Sequence, residues 1–305
     1  MISSTGNLTL NLSRTRARTA DFLELAKPRV VLMILFATFT GILLGTGRMV
    51  NPLLVLNTLL GTALAAAGSL ALNQYLERGV DARMERTRRR PLPQGRLSPF
   101  EALLFGSCIL SGGLVYLAVT VNLLSALVTT GTAAWYLWAY TPSKRKTSLC
   151  LLVGAVCGAT PPVIGWAAAR GEVVSLEAWV LFGILFLWQI PHTLAIGQLY
   201  RDDYARAGIR ILPAVEPTGD STRRQVLVGS LALLAVGLLP FLMGMAGRFY
   251  FLTALGLGTL LVFYGIRMAI IDTRASARHL LFATLAYLPV LFLLMILDGP
   301  QVAIW

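Results

Sequence analysis

The sequence predicts an all-α integral membrane protein with about nine transmembrane helices, an N-terminus in the cytoplasm and a C-terminus outside. Three observations support this fold class. The 305-residue chain has a mean hydropathy of +0.71 and only 13% charged residues, it contains long intervals without any charge, and its basic residues alternate between successive connecting segments. We further expect two similar four-helix halves followed by a ninth helix.

Each charge-free interval predicts one membrane crossing, since a helix needs roughly 20 mostly apolar residues to span a bilayer. The interval 102–143 is about twice that long and contains Thr120-Val121-Asn122, so it predicts two helices joined by a short turn. Counting that interval twice gives nine crossings. The intervals are 30–47, 49–76, 102–143, 147–169, 178–200, 225–247, 249–266 and 280–297.

The positions of Lys and Arg test this count independently. With the N-terminus inside, 23 of the 26 basic residues fall in cytoplasmic segments, and only Arg48, Arg170 and Arg248 fall outside. A miscounted helix would scramble this positive-inside asymmetry. The net charge of +12 is therefore a topological signal, and the expected partner is the lipid bilayer and not a nucleic acid.

The chain is expected to form one transmembrane domain over residues 26–298. Residues 1–25 are predicted as a flexible cytoplasmic tail and 299–305 as a short tail on the outer side. The first 20 residues contain Arg without any acid and lack an apolar signal segment, which fits a mitochondrial transit peptide or a positive-inside tail. We favour a bacterial inner membrane over a mitochondrial inner membrane, with the active site at the cytoplasmic face.

The segment after the second crossing concentrates charge. Asn73, Glu77 and Asp81 are spaced i, i+4 and i+8, which places three oxygen-bearing side chains on one helix face. Such oxygens suit Mg²⁺, and the arginines that follow suit phosphate oxygens. From this segment alone, a cytoplasmic loop whose acids balance its arginines is an equal alternative. The arginines in question are Arg86, Arg88 and Arg90.

A second acidic pair, Asp202 and Asp203, follows the sixth crossing at the same face. Its position, four crossings after the first cluster, is the basis for expecting a doubled four-helix unit. Two carboxylate sets could hold metal ions on one diphosphate, whereas a solvated helix end is the alternative interpretation.

Four blocks resemble the protoheme IX farnesyltransferase (heme O synthase) branch of the UbiA-type intramembrane prenyltransferases, and the final helix, 287–298, also fits. Glu77 and Gly79 stand where the family usually has aspartates. The match covers nearly the whole chain past residue 20. The blocks are AKPRVVLMILFATFTGILLG (26–45), NQYLERGVDARMERTRRRPLPQGRL (73–97), YTPSKRKTSLCLLVGAVCGATPPVIGWAA (140–168) and WQIPHTLAIGQLYRDDYARAGIRILP (188–213).

The resemblance implies transfer of a farnesyl group from farnesyl diphosphate to the 2-vinyl group of heme b, which is a substrate and not a cofactor. It also implies a downstream heme A synthase or terminal-oxidase assembly as partner. Mg²⁺ would assist departure of the diphosphate as a Lewis acid. The implied metal ligands are Asn73, Glu77, Asp81 and Asp203, and the implied diphosphate-binding residues are Lys27, Arg29, Arg86, Arg88, Arg90, Lys144 and Arg145.

His192 lies near the end of the sixth predicted helix, after Pro191. It fits an axial ligand to heme iron or a proton relay, and a histidine that merely packs between helices is the alternative. Asp202 and His192 complete the predicted catalytic set with the metal ligands. Pro161-Pro162 must break the fifth helix, which suggests a substrate chamber beside it.

The aromatic residues at the cytoplasmic end of the fourth helix could stabilise a carbocation through their ring faces. An interfacial aromatic belt is the favoured interpretation. These residues are Trp135, Tyr136, Trp138 and Tyr140.

Two other functions remain open from the sequence. A prenyltransferase acting on a quinone or aromatic acceptor is the nearer alternative, and bound heme would discriminate it. A transporter or heme-binding assembly factor is the other, although carriers place polar sites near the midplane, where this chain is nearly free of charge.

Overall fold

A computed structural model describes residues 18–47 and 50–299, which are helical apart from short connections. Residues 18–26 form α1. The remaining helices are α2 (Pro28–Thr46), α3 (Pro52–Asp81), α4 (Pro99–Thr120), α5 (Leu123–Ala134), a π-helical turn (Trp135–Tyr140), α6 (Thr141–Ser143), α7 (Cys150–Gly158), α8 (Pro161–Arg170), α9 (Leu176–Leu199), α10 (Arg201–Ala207), α11 (Leu212–Val215), α12 (Asp220–Leu242), α13 (Arg248–Ile271) and α14 (Arg274–Leu297).

Eight helical segments in the described ranges are long and apolar enough to cross a membrane, with α7 and α8 together forming one of them. The predicted turn within 102–143 is confirmed, because α4 ends at Thr120 and the side chain of Asn122 caps α5. The fourth predicted crossing, which is not among these eight, corresponds to α5, the π-helical turn and α6, which follow one another without a break. A count of nine and the N-in, C-out orientation stay predictions.

Local sequence signals explain where the long helices begin. Asn51 caps α3 through Leu53 N–H, and Ser98 forms a reciprocal capping box with Glu101 at the start of α4. Glu216 accepts the N–H groups of Ser221 and Thr222 at the start of α12. These caps satisfy donors that a helix leaves unpaired at its N-terminus.

The first and fifth crossings, α2 and α8, pack closely because small residues face each other. A Cβ atom on Gly41 would lie 2.0 Å from the carbonyl oxygen of Pro162, and one on Gly165 would lie 2.0 Å from that of Thr38. Glycines allow the two backbones to meet at this separation. Helices α2 and α8, from the first crossing of each predicted half, therefore pack directly against each other.

The fifth crossing breaks as predicted, since α7 ends at Gly158 and α8 begins at Pro161. The proline ring has no N–H to continue the preceding hydrogen-bond ladder. The break lies beside a cavity that Gly158, Thr160 and Pro161 help to line.

The N-terminal segment differs from the predicted flexible tail over 1–25. Leu25 and Asp21 of α1 are buried, and Asp21 forms an ion pair with Arg96. Gln74 of α3 also donates a hydrogen bond to the carbonyl oxygen of Leu25, at 2.7 Å. Apolar packing and these polar contacts hold α1 against the bundle. Residues 1–17, which include Arg14 and Arg16, and Arg48, Met49 and 300–305 lie outside the described residues.

The cytoplasmic ends predicted for the second and sixth crossings meet in the structure. Val80 and Met84, at the end of α3, form a buried cluster with Ala207, Ile209 and Ile211, which follow α9. This cluster brings the two acidic segments of the sequence to the same end of the bundle.

Candidate active site

One cavity of about 710 Å³ opens among α2, α3, the π-helical turn, α7, α9 and α14. One end is charged and the remainder is mostly apolar. Five cationic and two acidic side chains line it, which leaves a net charge of +3 when all are ionised. Such a charge suits a polyanion joined to an apolar chain. The charged residues are Lys27, Arg29, Glu77, Asp81, Arg86, Arg90 and Lys144.

The three oxygen-bearing residues of α3 all line this cavity, as their helical spacing predicts. Asn73 is buried and its amide nitrogen donates to Thr141 Oγ1 at 3.0 Å, which leaves its amide oxygen available to a cation. Glu77 accepts from Lys144 Nζ at 2.9 Å, and Asp81 accepts from an Arg90 guanidinium nitrogen at 2.7 Å. The acids are thus paired with residues predicted to hold diphosphate.

Lys27 reaches the cavity from the junction of α1 and α2. Its backbone has a φ of 50°, a left-handed conformation that costs a non-glycine residue energy. Pro28 then starts α2 directly. Burial and the neighbouring cations Arg90 and Lys144 lower the pKa of Lys27 to about 7. An anion bound among these three cations would favour the protonated form of Lys27.

The segment after α3, residues 82–98, is held in place by Asp203. The Asp203 carboxylate accepts the backbone N–H of Glu85 at 3.0 Å and that of Arg86 at 3.2 Å, and it also pairs with Arg206. Although burial opposes its ionisation, these donors hold the pKa of Asp203 below its ordinary value. Asp203 therefore fixes the chain at the point where Arg86 extends into the cavity.

Four of the predicted site residues are absent from the described lining of the cavity. Asp203 is buried against the backbone of residues 85 and 86, as above. Asp202 is exposed and accepts from Arg274 at 2.9 Å, and Arg88 pairs with Glu85 at the surface. Arg145 is also exposed. The other nine predicted residues, including His192, line the cavity.

The π-helical turn divides the predicted aromatic belt into two groups. Tyr136 and Tyr140 line the cavity, whereas Trp135 and Trp138 are 44% and 79% exposed on the outer surface. The Lys144 ammonium lies 4.5 Å from the centre of the Tyr140 ring. Both tyrosines therefore line the cavity, and the ring of Tyr140 makes a cation–π contact with Lys144 at its charged end.

His192 lines the mostly apolar part of the cavity with Trp188 and Gln189. The imidazole and indole rings stack with their centres 4.5 Å apart. The hydroxyl oxygen of Thr284 in α14 lies 2.9 Å from His192 Nδ1. The carbonyl oxygen of Thr284 accepts the indole N–H of Trp188 at 2.7 Å. Reasoning from the sequence missed Thr284 and Gln189, because neither residue type is distinctive in an apolar helix.

The donor set at the charged end fits a magnesium ion only together with an anionic ligand. In residues 18–47 and 50–299, no group of three or more His, Cys, Asp or Glu side chains forms a metal cluster. Two carboxylates and one amide oxygen do line the cavity, however, and Mg²⁺ usually takes one or two carboxylates and completes its octahedron with water and substrate phosphate. The surrounding cations supply the phosphate partners.

Comparison with known proteins agrees with this arrangement. Residues 34–297 match the UbiA prenyltransferase family. A protein named protoheme IX farnesyltransferase from Solibacter usitatus is 46% identical over 289 residues, covering 92% of this chain and 99% of that protein. One of the same name from Koribacter versatilis is 43% identical over 288 residues, covering 91% and 93%.

Solved structures share the fold at low sequence identity. The structure of a digeranylgeranylglyceryl phosphate synthase has a TM-score of 0.76 at 16% identity, covering 92% of this chain and 98% of that one. A UbiA homolog from Archaeoglobus fulgidus, bound to DMAPP and Mg²⁺, has a TM-score of 0.62 at 18% identity, covering 90% and 99%. By its sequence and its fold, this chain belongs to the UbiA prenyltransferase family.

Proposed function

We propose that this protein transfers the farnesyl group of farnesyl diphosphate to the 2-vinyl group of heme b, with Mg²⁺, to make heme O. The observation that carries the proposal is the continuous cavity, with cations and carboxylates at one end and apolar side chains over the rest. A prenyl diphosphate has the same division between polyanion and hydrocarbon. The names of the relatives from Solibacter usitatus and Koribacter versatilis support heme b as the acceptor.

The metal would be held by the Asn73 amide oxygen and the carboxylates of Glu77 and Asp81. A bound Mg²⁺ supplies Lewis-acid stabilisation of the charge that develops on the departing diphosphate. The UbiA homolog from Archaeoglobus fulgidus, which binds DMAPP and Mg²⁺ together, supports this assignment. Asp203, engaged with backbone N–H groups, acts on the site through the position of Arg86.

The cavity cations hold the diphosphate oxygens. Arg90 and Lys144 are paired with Asp81 and Glu77, so substrate binding would exchange carboxylate partners for phosphate partners. Lys27, Arg29 and Arg86 complete the group. Donors fixed around the leaving group stabilise its charge as the allylic C–O bond breaks.

The reaction balances as farnesyl diphosphate, heme b and water giving heme O and diphosphate. The allylic C–O electron pair leaves with the diphosphate, and the vinyl carbon attacks the farnesyl cation to form the new C–C bond. Water then adds to the remaining cation beside the porphyrin and loses a proton. The apolar lining keeps bulk water from the farnesyl cation before the vinyl carbon attacks.

His192 would face the acceptor, since it lies in the apolar part of the cavity with Trp188. The protein would form a single domain over 26–298 in a bacterial inner membrane, and the charge pattern of the connecting segments supports placing the charged end of the cavity at the cytoplasmic face. A heme A synthase or an assembling terminal oxidase would then take up the product.

Product analysis of detergent-purified protein tests the proposal. Heme b, farnesyl diphosphate and Mg²⁺ should yield a heme heavier by a farnesyl group and a hydroxyl. EDTA should abolish the product, and Asp81→Asn should lower the rate by at least about 100-fold, because typical electrostatic catalytic groups contribute about that much.

The alternatives give different results. Diphosphate released in a metal-dependent way while heme stays unchanged would indicate prenyl transfer to another acceptor, such as a quinone precursor or an aromatic acid. Folded protein that consumes neither substrate would contradict the enzyme assignment and favour a transporter or a heme-binding assembly factor.

A further inference from the structure

The hydrogen bonds of Thr284 determine which nitrogen of His192 carries the proton. The Thr284 hydroxyl lies 2.7 Å from the carbonyl oxygen of Leu281, a group that can only accept. A hydroxyl has one hydrogen, so this bond uses it. Since the contact with Leu281 is the shorter of the two, we assign the hydroxyl hydrogen to it and His192 Nδ1, at 2.9 Å from the same hydroxyl oxygen, as the donor in their contact. This assignment corresponds to the Nδ1–H tautomer of the imidazole.

The second ring nitrogen of His192 consequently has a free lone pair. Nδ1 is turned toward α14, and His192 lines the cavity, so Nε2 is the ring nitrogen that can meet a ligand there. A neutral imidazole with Nδ1 protonated offers Nε2 as an acceptor or a metal ligand.

Trp188 prevents the imidazole from turning away. Its ring stacks on His192 at an interplanar angle of 19°, and its indole N–H is bonded to the carbonyl oxygen of Thr284. One residue of α14 therefore anchors both rings, through its side chain to the imidazole and through its backbone to the indole. Thr284 itself is fully buried, so water does not compete for these bonds.

We propose that Thr284 is a positioning residue that holds His192 with Nε2 ready to coordinate the iron of the metalloporphyrin acceptor. The inference rests on the proposed function for the identity of that acceptor. A histidine bound to a metal usually donates its other ring N–H to a fixed acceptor, and the Thr284 hydroxyl provides one here. Imidazole is a common ligand of heme iron.

Titration of ferric heme b into the detergent-purified full-length protein, without farnesyl diphosphate or Mg²⁺, tests the inference. Wild type should show the absorption and electron-paramagnetic-resonance signature of a nitrogen-ligated heme. Thr284→Val, which keeps the shape but lacks the acceptor, should bind about 10-fold more weakly or lose that signature, as outer-partner substitutions typically do. Thr284→Ser, which retains the hydroxyl, should restore wild-type behaviour.

A His192→Gly background separates positioning from packing. Without the His192 imidazole there is no ring N–H for Thr284 to accept, and Thr284→Val should then have no more than about a two-fold further effect on heme affinity, because coupled residues lose their interaction when one is removed. If Thr284→Val fails to fold, Thr284→Ala gives the same comparison. An equal loss in both backgrounds would show that Thr284 acts by packing alone, which overturns the inference.

The outcomes also separate this inference from the proposed function. If Thr284→Val gives the wild-type heme spectrum and affinity, the positioning role is wrong and heme transfer stands. If wild type does not bind heme yet still releases diphosphate from farnesyl diphosphate, the acceptor assignment and the inference are both wrong.

Discussion

Replacing Asp203 by asparagine distinguishes a residue that positions the arginine-bearing segment from one that ligates metal. The carboxylate of Asp203 is 7% exposed and accepts two backbone N–H groups, those of Glu85 and Arg86. Asparagine keeps one accepting oxygen and turns an amide N–H toward the second donor. One charge-assisted bond is lost, which costs about 1.5–3 kcal/mol.

This loss should appear in the binding of substrate. At 1.4 kcal/mol for each factor of ten, the equilibrium constant for the conformation that places Arg86 in the cavity would fall roughly 10- to 100-fold. We therefore expect the KM for farnesyl diphosphate to rise within that range, while the Mg²⁺ concentration for half-maximal rate stays within about two-fold of wild type. Initial rates measured over a matrix of farnesyl diphosphate and Mg²⁺ concentrations give both quantities.

Asp202→Asn is the matched comparison, because the adjacent carboxylate is exposed and pairs only with Arg274 among the described residues. Its kinetic constants should change less than about two-fold, as for surface ion pairs in general. A shift of the Mg²⁺ requirement in Asp203→Asn, with an unchanged KM for farnesyl diphosphate, would refute the positioning role and support the metal ligation predicted from the sequence.

Three further results are expected. The KM for farnesyl diphosphate should rise between about pH 6 and pH 8, because Lys27, with a pKa of about 7, is charged below that pH and neutral above it. In Lys27→Arg the side chain stays charged, so the part of this rise in KM that Lys27 causes should be absent. Gly165→Ala should destabilise the protein by about 1–3 kcal/mol, since its Cβ would lie 2.0 Å from Thr38 O. Gly112→Ala is the control, because a Cβ there meets nothing within 4 Å. Equal unfolding midpoints of the two variants in detergent would contradict the tight contact between α2 and α8. Glu216→Gln should lower the free energy of unfolding by about 0.5–2 kcal/mol. Although burial opposes ionisation of Glu216, hydrogen bonds from Ser221 and Thr222 lower its pKa from 4.5 to about 2. The stabilisation by the carboxylate is therefore complete above about pH 4.5 and is lost as the pH falls through 2, so the stabilities of wild type and Glu216→Gln should become equal in acid.

The charge pattern was sufficient to predict most of the fold, because a bilayer imposes the same length and polarity on every crossing. The turn at Val121 and the break before Pro161 could be located from one or two residues each. Helical spacing also placed Asn73, Glu77 and Asp81 correctly on one face of α3. Each of these inferences needs only a regular helix and its neighbours in sequence.

Irregular backbone geometry limited the prediction of which other residues face the cavity or are buried. Helix α9 ends at Leu199, and Tyr200 has a φ of −114° and a ψ of 27°, so the register of α9 does not continue into α10. The sequence therefore could not show which of Asp202 and Asp203 is buried. The π-helical turn likewise changes the faces of Tyr136 and Tyr140, because its period differs from 3.6 residues.

Contacts between distant segments were also beyond prediction. Glu77 and Lys144 are 67 residues apart, and His192 and Thr284 are 92 apart. Their side chains meet only through the packing of whole helices, which residue spacing within one helix does not encode.

The two ion pairs at the charged end of the cavity oppose binding of a metal ion by itself. A divalent cation held by Asp81 and Glu77 would have to displace Arg90 and Lys144 from these carboxylates. That exchange leaves a partly buried cation without its partner, at a cost of about 3–5 kcal/mol. A metal and a diphosphate arriving together satisfy both partners at once. Free Mg²⁺ would therefore bind weakly until a diphosphate arrives, and re-formation of the two ion pairs would favour release of the spent diphosphate with its metal.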